Sequence, residues 1–69
     1  MYLERTITDK QCMQGDGMFR PIFPEADIAQ ADKLEIWCSG FSDGGDDSTT
    51  FKLVDAQGKT VSSRSIGGY

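Results

Sequence analysis

The sequence predicts a mainly β fold: a small antiparallel sheet of four to five strands, barrel-like or sandwich-like, with at most one short helix. Three observations lead there. Residues 49–63 read as a β-hairpin, residues 33–41 alternate apolar and polar side chains, and helix signals are confined to short stretches. The 69 residues make a single small domain. A chain of this length buries only about 60% of its unfolded surface, so its core is thin.

From the N-terminus, Tyr2 to Thr8 alternates as a first strand, with Leu3, Arg5 and Ile7 opposite Tyr2, Glu4 and Thr6. Thr8 and Gln11 have the spacing of a capping box that opens one helical turn, which Gly15 would close. Met18 to Phe23 is aromatic and β-branched, but Pro21 cannot donate to a ladder; an edge strand or an extended segment is expected. Pro24 suits the first position of a helix of at most two turns, running to Ala31. Glu25 and Asp27 complement its positive end, and Ile28 is its one large apolar residue.

The segment from Lys33 to Phe41 is the clearest single strand. Leu34, Ile36, Cys38 and Gly40 share one face; Glu35, Trp37, Ser39 and Phe41 share the other. An acidic glycine-rich loop, 42–48, leads into the hairpin. There Asp55 to Lys59 suits a type I turn followed by a left-handed residue, a conformation that Gly58 adopts without a Cβ clash. This turn pairs Val54 with Thr60, Leu53 with Val61, Lys52 with Ser62 and Phe51 with Ser63, with an Asp55–Lys59 charge pair at the tip. Phe51, Leu53 and Val61 then form a packed face; Thr50, Lys52, Ser62 and Arg64 surround Val54 on a wet one. The tail from Ile66 to Tyr69 extends the last strand or frays.

Composition excludes several functions. Without histidine, and with Cys12 and Cys38 as the only thiols, the chain lacks the four ligands of a zinc site and any imidazole to activate a nucleophile. In a cytosolic chain the two thiols are expected reduced, a single disulfide being the alternative. No phosphate-cradling loop is present: Ser39 to Gly45 is glycine-rich but has no basic residue. The carboxylates fall in turns or on wet strand faces, where no cleft drives their pKa values apart. The expectation is a protein that is not an enzyme and holds no cofactor. No signal-peptide pattern or transmembrane stretch occurs, so a cytoplasmic location and no membrane partner are expected.

The net charge of −4 is uneven. Residues 1–24 balance, residues 25–47 carry −6, and residues 48–69 carry +2. An acidic chain repels phosphate, so no direct nucleic-acid binding is expected; a larger protein or nucleoprotein complex with a basic surface is the natural partner. The candidate partner-binding residues are Trp37 and Phe41 as aromatic anchors, with Glu35, Asp43, Asp46 and Asp47 as an acidic rim. Two placements of Trp37 stand open: on an exposed outer face, or in a second core layer beneath the helix or the Pro21 segment. Asp43, Asp46 and Asp47 also offer oxygens to a divalent cation, although their spacing is not that of an EF-hand.

In its size, acidity and lack of catalytic residues the chain resembles the short accessory proteins of phages and mobile elements. Many of those inhibit host nucleic-acid machinery, the anti-CRISPR proteins among them. The resemblance covers overall character and no motif. It implies a non-catalytic, phage-type inhibitor acting through the acidic central segment. A self-assembling structural module (a homo-oligomer) and a small cation-binding module are the alternatives.

Overall fold

The computed structural model describes residues 1–18, 20–39 and 48–67. The fold is mainly β, as expected. Strands β1 (Tyr2–Ile7), β2 (Lys33–Cys38), β3 (Ser48–Val54) and β4 (Thr60–Gly67) form one antiparallel sheet in the order β1-β2-β3-β4. The sheet is open; it neither closes into a barrel nor folds into a sandwich. One short helix, α1 (Glu25–Gln30), and a 3-10 turn at Lys10–Cys12 accompany it.

Strand β2 follows its alternation: Leu34 and Ile36 are buried, while Glu35 and Trp37 lie on the opposite face. Strand β3 contributes Thr49, Phe51 and Leu53 to the same buried side. Pro24 caps α1, which lies against β4 and turns Ile28 and Ala31 into the core. The Lys10 ammonium donates to the Ala29 carbonyl (2.8 Å) near the helix C-terminus, where a cation is favoured.

The hairpin tip has Gly58 at φ +84°, with Asp55 N–H donating to Lys59 O. Asp55 does not pair with Lys59 as a charge; its Oδ1 accepts from the N–H groups of Gln57 and Lys59, both at 2.9 Å. These local bonds form with no need to hold a long lysine chain in one geometry. Val54 pairs with Thr60 as expected, but a bulge follows on β4, so Leu53 faces Ser62 and Phe51 faces Arg64. Ser62 and Arg64 therefore move to the covered side, where the Arg64 guanidinium lies 5.9 Å from the Phe23 ring centroid. Val61 still packs against the core. Val54, expected on the wet face, is buried.

A second bulge, between Leu3 and Arg5, breaks the expected alternation of β1. Arg5 pairs with Ile36, whereas Leu3 pairs with Trp37 and Tyr2 with Cys38. Bulges at an edge strand re-aim side chains and disrupt further pairing. The 3-10 turn is capped by Asp9 rather than Thr8, its carboxylate accepting from Gln11 N–H at 2.9 Å, and it ends at Met13 rather than Gly15.

No strand forms among the described residues of 13–24. The edge strand considered for Met18 to Phe23 is not seen among its described residues, and side chains take the place of a ladder. The Gln14 carboxamide donates to Phe23 O and accepts from Phe23 N–H, both at 3.1 Å. Arg20 donates to the carbonyls of Cys12 (3.2 Å) and Gln14 (3.1 Å), and Asp16 Oδ1 accepts from the N–H groups of Met18 and Arg20. This clasp delivers Met13 and Phe23 into the core, where both are fully buried.

Candidate functional site

The covering elements (α1, the 3-10 turn and the 13–24 clasp) supply Met13, Phe23, Ile28 and Ala31 to the core on the Leu34/Phe51/Leu53 side. The opposite face of the sheet carries two cross-strand rows, Thr6–Glu35–Lys52–Ser63 and Leu3–Trp37–Thr50–Ser65. Trp37 belongs to this outer face, not to a second core layer beneath the helix, and it is half-buried among its neighbours.

Two side-chain contacts among the described residues hold the indole. Its Nε1–H donates to Glu35 Oε1 at 3.0 Å and the Lys52 ammonium lies 5.5 Å from the ring centroid, while the backbone register sets Leu3 opposite Trp37 across β1–β2. A cation over an indole face is favoured by the ring quadrupole. Beside the ring, the Thr50 and Ser65 hydroxyls bond at 2.9 Å. Trp37 is thus set among polar groups with its side chain already ordered.

Glu35 differs from its expected role in a free acidic rim. It forms an ion pair with Lys33 (3.4 Å) and accepts from Trp37, and Lys52 faces it across the strands. The Trp37 hydrogen bond holds its carboxyl below the ordinary carboxylate value; partial burial opposes this, and Lys33 and Lys52 add to the lowering. Two ammonium groups thus surround the one carboxylate near Trp37. Of the other described acids of the central segment, Glu25 and Asp27 lie in α1 on the covering layer, and Asp32 precedes β2, its N–H donating to Val54 O at 2.7 Å. Phe41, Asp43, Asp46 and Asp47 lie outside the described residues, and so does the candidate cation loop. Among the described residues, no three thiol or carboxylate side chains are grouped as a metal would need.

A lowered carboxyl pKa contributes stability that is complete above the ordinary value, about 4.5, and is lost as pH falls through the lower folded value. Because the Glu35 side chain retains 18% exposure, screening keeps its worth below about 1 kcal/mol. Glu35→Gln is therefore expected to lower the urea midpoint slightly at pH 7, with the gap to wild type narrowing as pH falls below about 4.5. A gap that persists unchanged at pH 3 would contradict the assignment.

Sequence reading missed a second feature: a groove of about 880 Å³ on the covered side of the sheet, between β1, the 3-10 turn and the start of β3. Both thiols line it, and both are free: Cys12 exposed, Cys38 half-buried. The Ser39 and Ser48 side chains, bonded to each other at 3.3 Å, stand at its rim, with Ser48 N–H donating to Ser39 Oγ at 2.8 Å. The Tyr2 phenol also lines it. Its pKa is raised chiefly by the Glu4 carboxylate beside it, with a smaller contribution from Cys38. The signals available beforehand were two cysteines and two arginines far apart in the sequence, which no local pattern unites.

No helix among the described residues is long and apolar enough to cross a membrane. Comparison with known proteins finds no matching family model, no matching characterised protein and no matching solved structure.

Proposed function

We propose that this chain is a non-catalytic binding protein that docks through the sheet face centred on Trp37, which no described helix or turn covers. One observation carries the reading: the only tryptophan sits on the face opposite the core, half-buried and already held by Glu35 and Lys52. An aromatic fixed before contact loses little entropy on binding, which is how interface anchors gain affinity. The partner would be a larger protein or nucleoprotein complex with a basic surface, steered at long range by the −6 charge of residues 25–47, although on the Trp37 face itself Glu35 is matched by Lys33 and Lys52. An inhibitor of a host nucleic-acid machine, of the phage-encoded anti-CRISPR type, is the form of this reading that the chain's size and acidity favour.

Both sheet edges weigh against the self-assembly alternative. Each edge strand carries a bulge and an inward-facing arginine, Arg5 on β1 and Arg64 on β4, devices that discourage pairing with another chain.

Three immobilised proteins test the proposal against lysate of the native host: wild type, Trp37→Ala and the Asp43/Asp46/Asp47→Asn triple variant. Wild type is expected to retain a nucleic-acid-handling complex. Trp37→Ala should release it about tenfold or more faster, and the triple variant should associate more slowly, with a weaker dependence on salt. Retention that neither variant changes would overturn the proposal.

A further inference from the structure

The outer sheet face carries a cation site that the chain fills with one of its own side chains. The Lys52 ammonium lies 5.5 Å from the centroid of the Trp37 ring, and Glu35 stands at the edge of that ring, its Oε1 accepting from Nε1–H at 3.0 Å. Strand pairing assembles the three: Lys52 is opposite Glu35, and Trp37 follows two residues later on the same side of β2. An aromatic face with a carboxylate at its edge is the chemistry that recognises a guanidinium. The ring quadrupole attracts the charge while the oxygens accept its N–H groups.

The present occupant is weakly held. Trp37, Glu35 and Lys52 are half-buried, not sealed, and a cation–π contact open to water is at the weak end of its range. Lys33 pairs with Glu35 Oε2 at 3.4 Å, but its side chain is 37% exposed, and such surface pairs add little. A carboxylate accepts at about four positions, and Trp37 and Lys33 each take one on Glu35. An ammonium is a strongly hydrated point charge, whereas a planar guanidinium is less hydrated and stacks on a ring while donating to a carboxylate. Residues 40–47 contain Asp43, Asp46 and Asp47 and no lysine or arginine, so the charge they add is of the sign that attracts a cation.

We infer that Trp37 and Glu35 receive an arginine side chain of the partner, which takes the place of Lys52 on the indole. The inference rests on the docking role proposed for this face and names the group the face reads. Lys52 is then a built-in competitor: it orders the indole while the face is free and yields the ring to a guanidinium.

The chain's one tryptophan makes the test direct, since its indole N–H gives a single resonance. Nitrogen-15-labelled protein is titrated at low, constant ionic strength with acetyl-Gly-Arg-Gly-amide, and with the same peptide carrying lysine or neutral citrulline instead. The arginine peptide is expected to move the Trp37 resonance saturably at millimolar concentration. The lysine peptide should bind at least about threefold more weakly, and the citrulline peptide should cause no saturable shift. Lys52→Met, which keeps the aliphatic stem and removes the competing charge, should tighten arginine-peptide binding at least about threefold. Glu35→Gln should weaken it about fivefold or more. Both comparisons are made at unchanged melting temperature. Any of three results would overturn the inference: no saturable shift with the arginine peptide, an equal shift with citrulline, or a Lys52→Met variant that binds no tighter than wild type. Capture of a host complex that depends on Trp37 would survive such a failure, because it requires no arginine on the ring.

Discussion

Gly15→Ala is expected to lose its cooperative unfolding transition, or to keep it only with several kcal/mol removed. A Cβ at this position would stand 2.1 Å from Pro21 O, 2.6 Å from Arg20 O and 2.7 Å from the Pro21 carbonyl carbon, all backbone atoms. No rotamer change relieves a backbone contact; the two arms of the 13–24 clasp would have to separate by about 1 Å. They are held by the paired Gln14–Phe23 hydrogen bonds and by Arg20 on the Cys12 and Gln14 carbonyls. Overpacking of this kind costs about 3 kcal/mol or more. At roughly 0.05–0.15 kcal/mol per residue, a chain of this size has a total stability of only about 3–10 kcal/mol. The requirement is for space and not for a left-handed backbone, since the positive-φ glycines are Gly17 and Gly58. Gly58→Ala is the control: nothing lies within 4 Å of its added Cβ, so only the φ of +84° opposes it, at about 1 kcal/mol. Urea unfolding followed by Trp37 fluorescence ranks the two. Equal losses would show that the clasp opens without cost.

Phe23→Ala should cost about 3–5 kcal/mol, the range for emptying an aromatic site in a packed core. Phe23 is 1% exposed although it belongs to neither a strand nor a helix. Its ring meets the Met13 and Phe51 cluster and carries Arg64 above it, so truncation opens a cavity and strands that cation contact together. Its neighbour Ile22 is 53% exposed. Ile22→Ala is expected to stay within about 0.5 kcal/mol of wild type in the same denaturation series. Comparable losses at the two positions would mean that the clasp does not anchor the core.

The outer face was only partly legible in the sequence. Alternation along β2 placed Glu35 and Trp37 together, because a period of two is imposed by the pleat itself. It did not reveal that Lys52 stands opposite Glu35, since register between strands depends on where the intervening chain returns. The expected acidic rim therefore became, at Glu35, a carboxylate engaged by Trp37 and Lys33. The two bulges were invisible for a related reason. Each arises from how a strand meets its partner, and no residue type in Leu3-Glu-Arg5 or Thr60-Val-Ser62 marks one.

Local chemistry alone determined the strand at Lys33–Cys38, the left-handed Gly58 turn and the short helix after Pro24. In each, the deciding interactions run between residues a few positions apart, or belong to one residue's own backbone. The sequence also determined a net charge of −4 with its central concentration, and the absence of histidine. Tertiary structure decided the rest: which face the helix and clasp cover, that Met13 and Phe23 complete the core, that Gly15 admits no side chain, and that two distant cysteines and two distant arginines share a groove. Those outcomes depend on contacts between segments far apart in the chain, made by side chains such as Gln14 and Arg20 that have no pattern of their own.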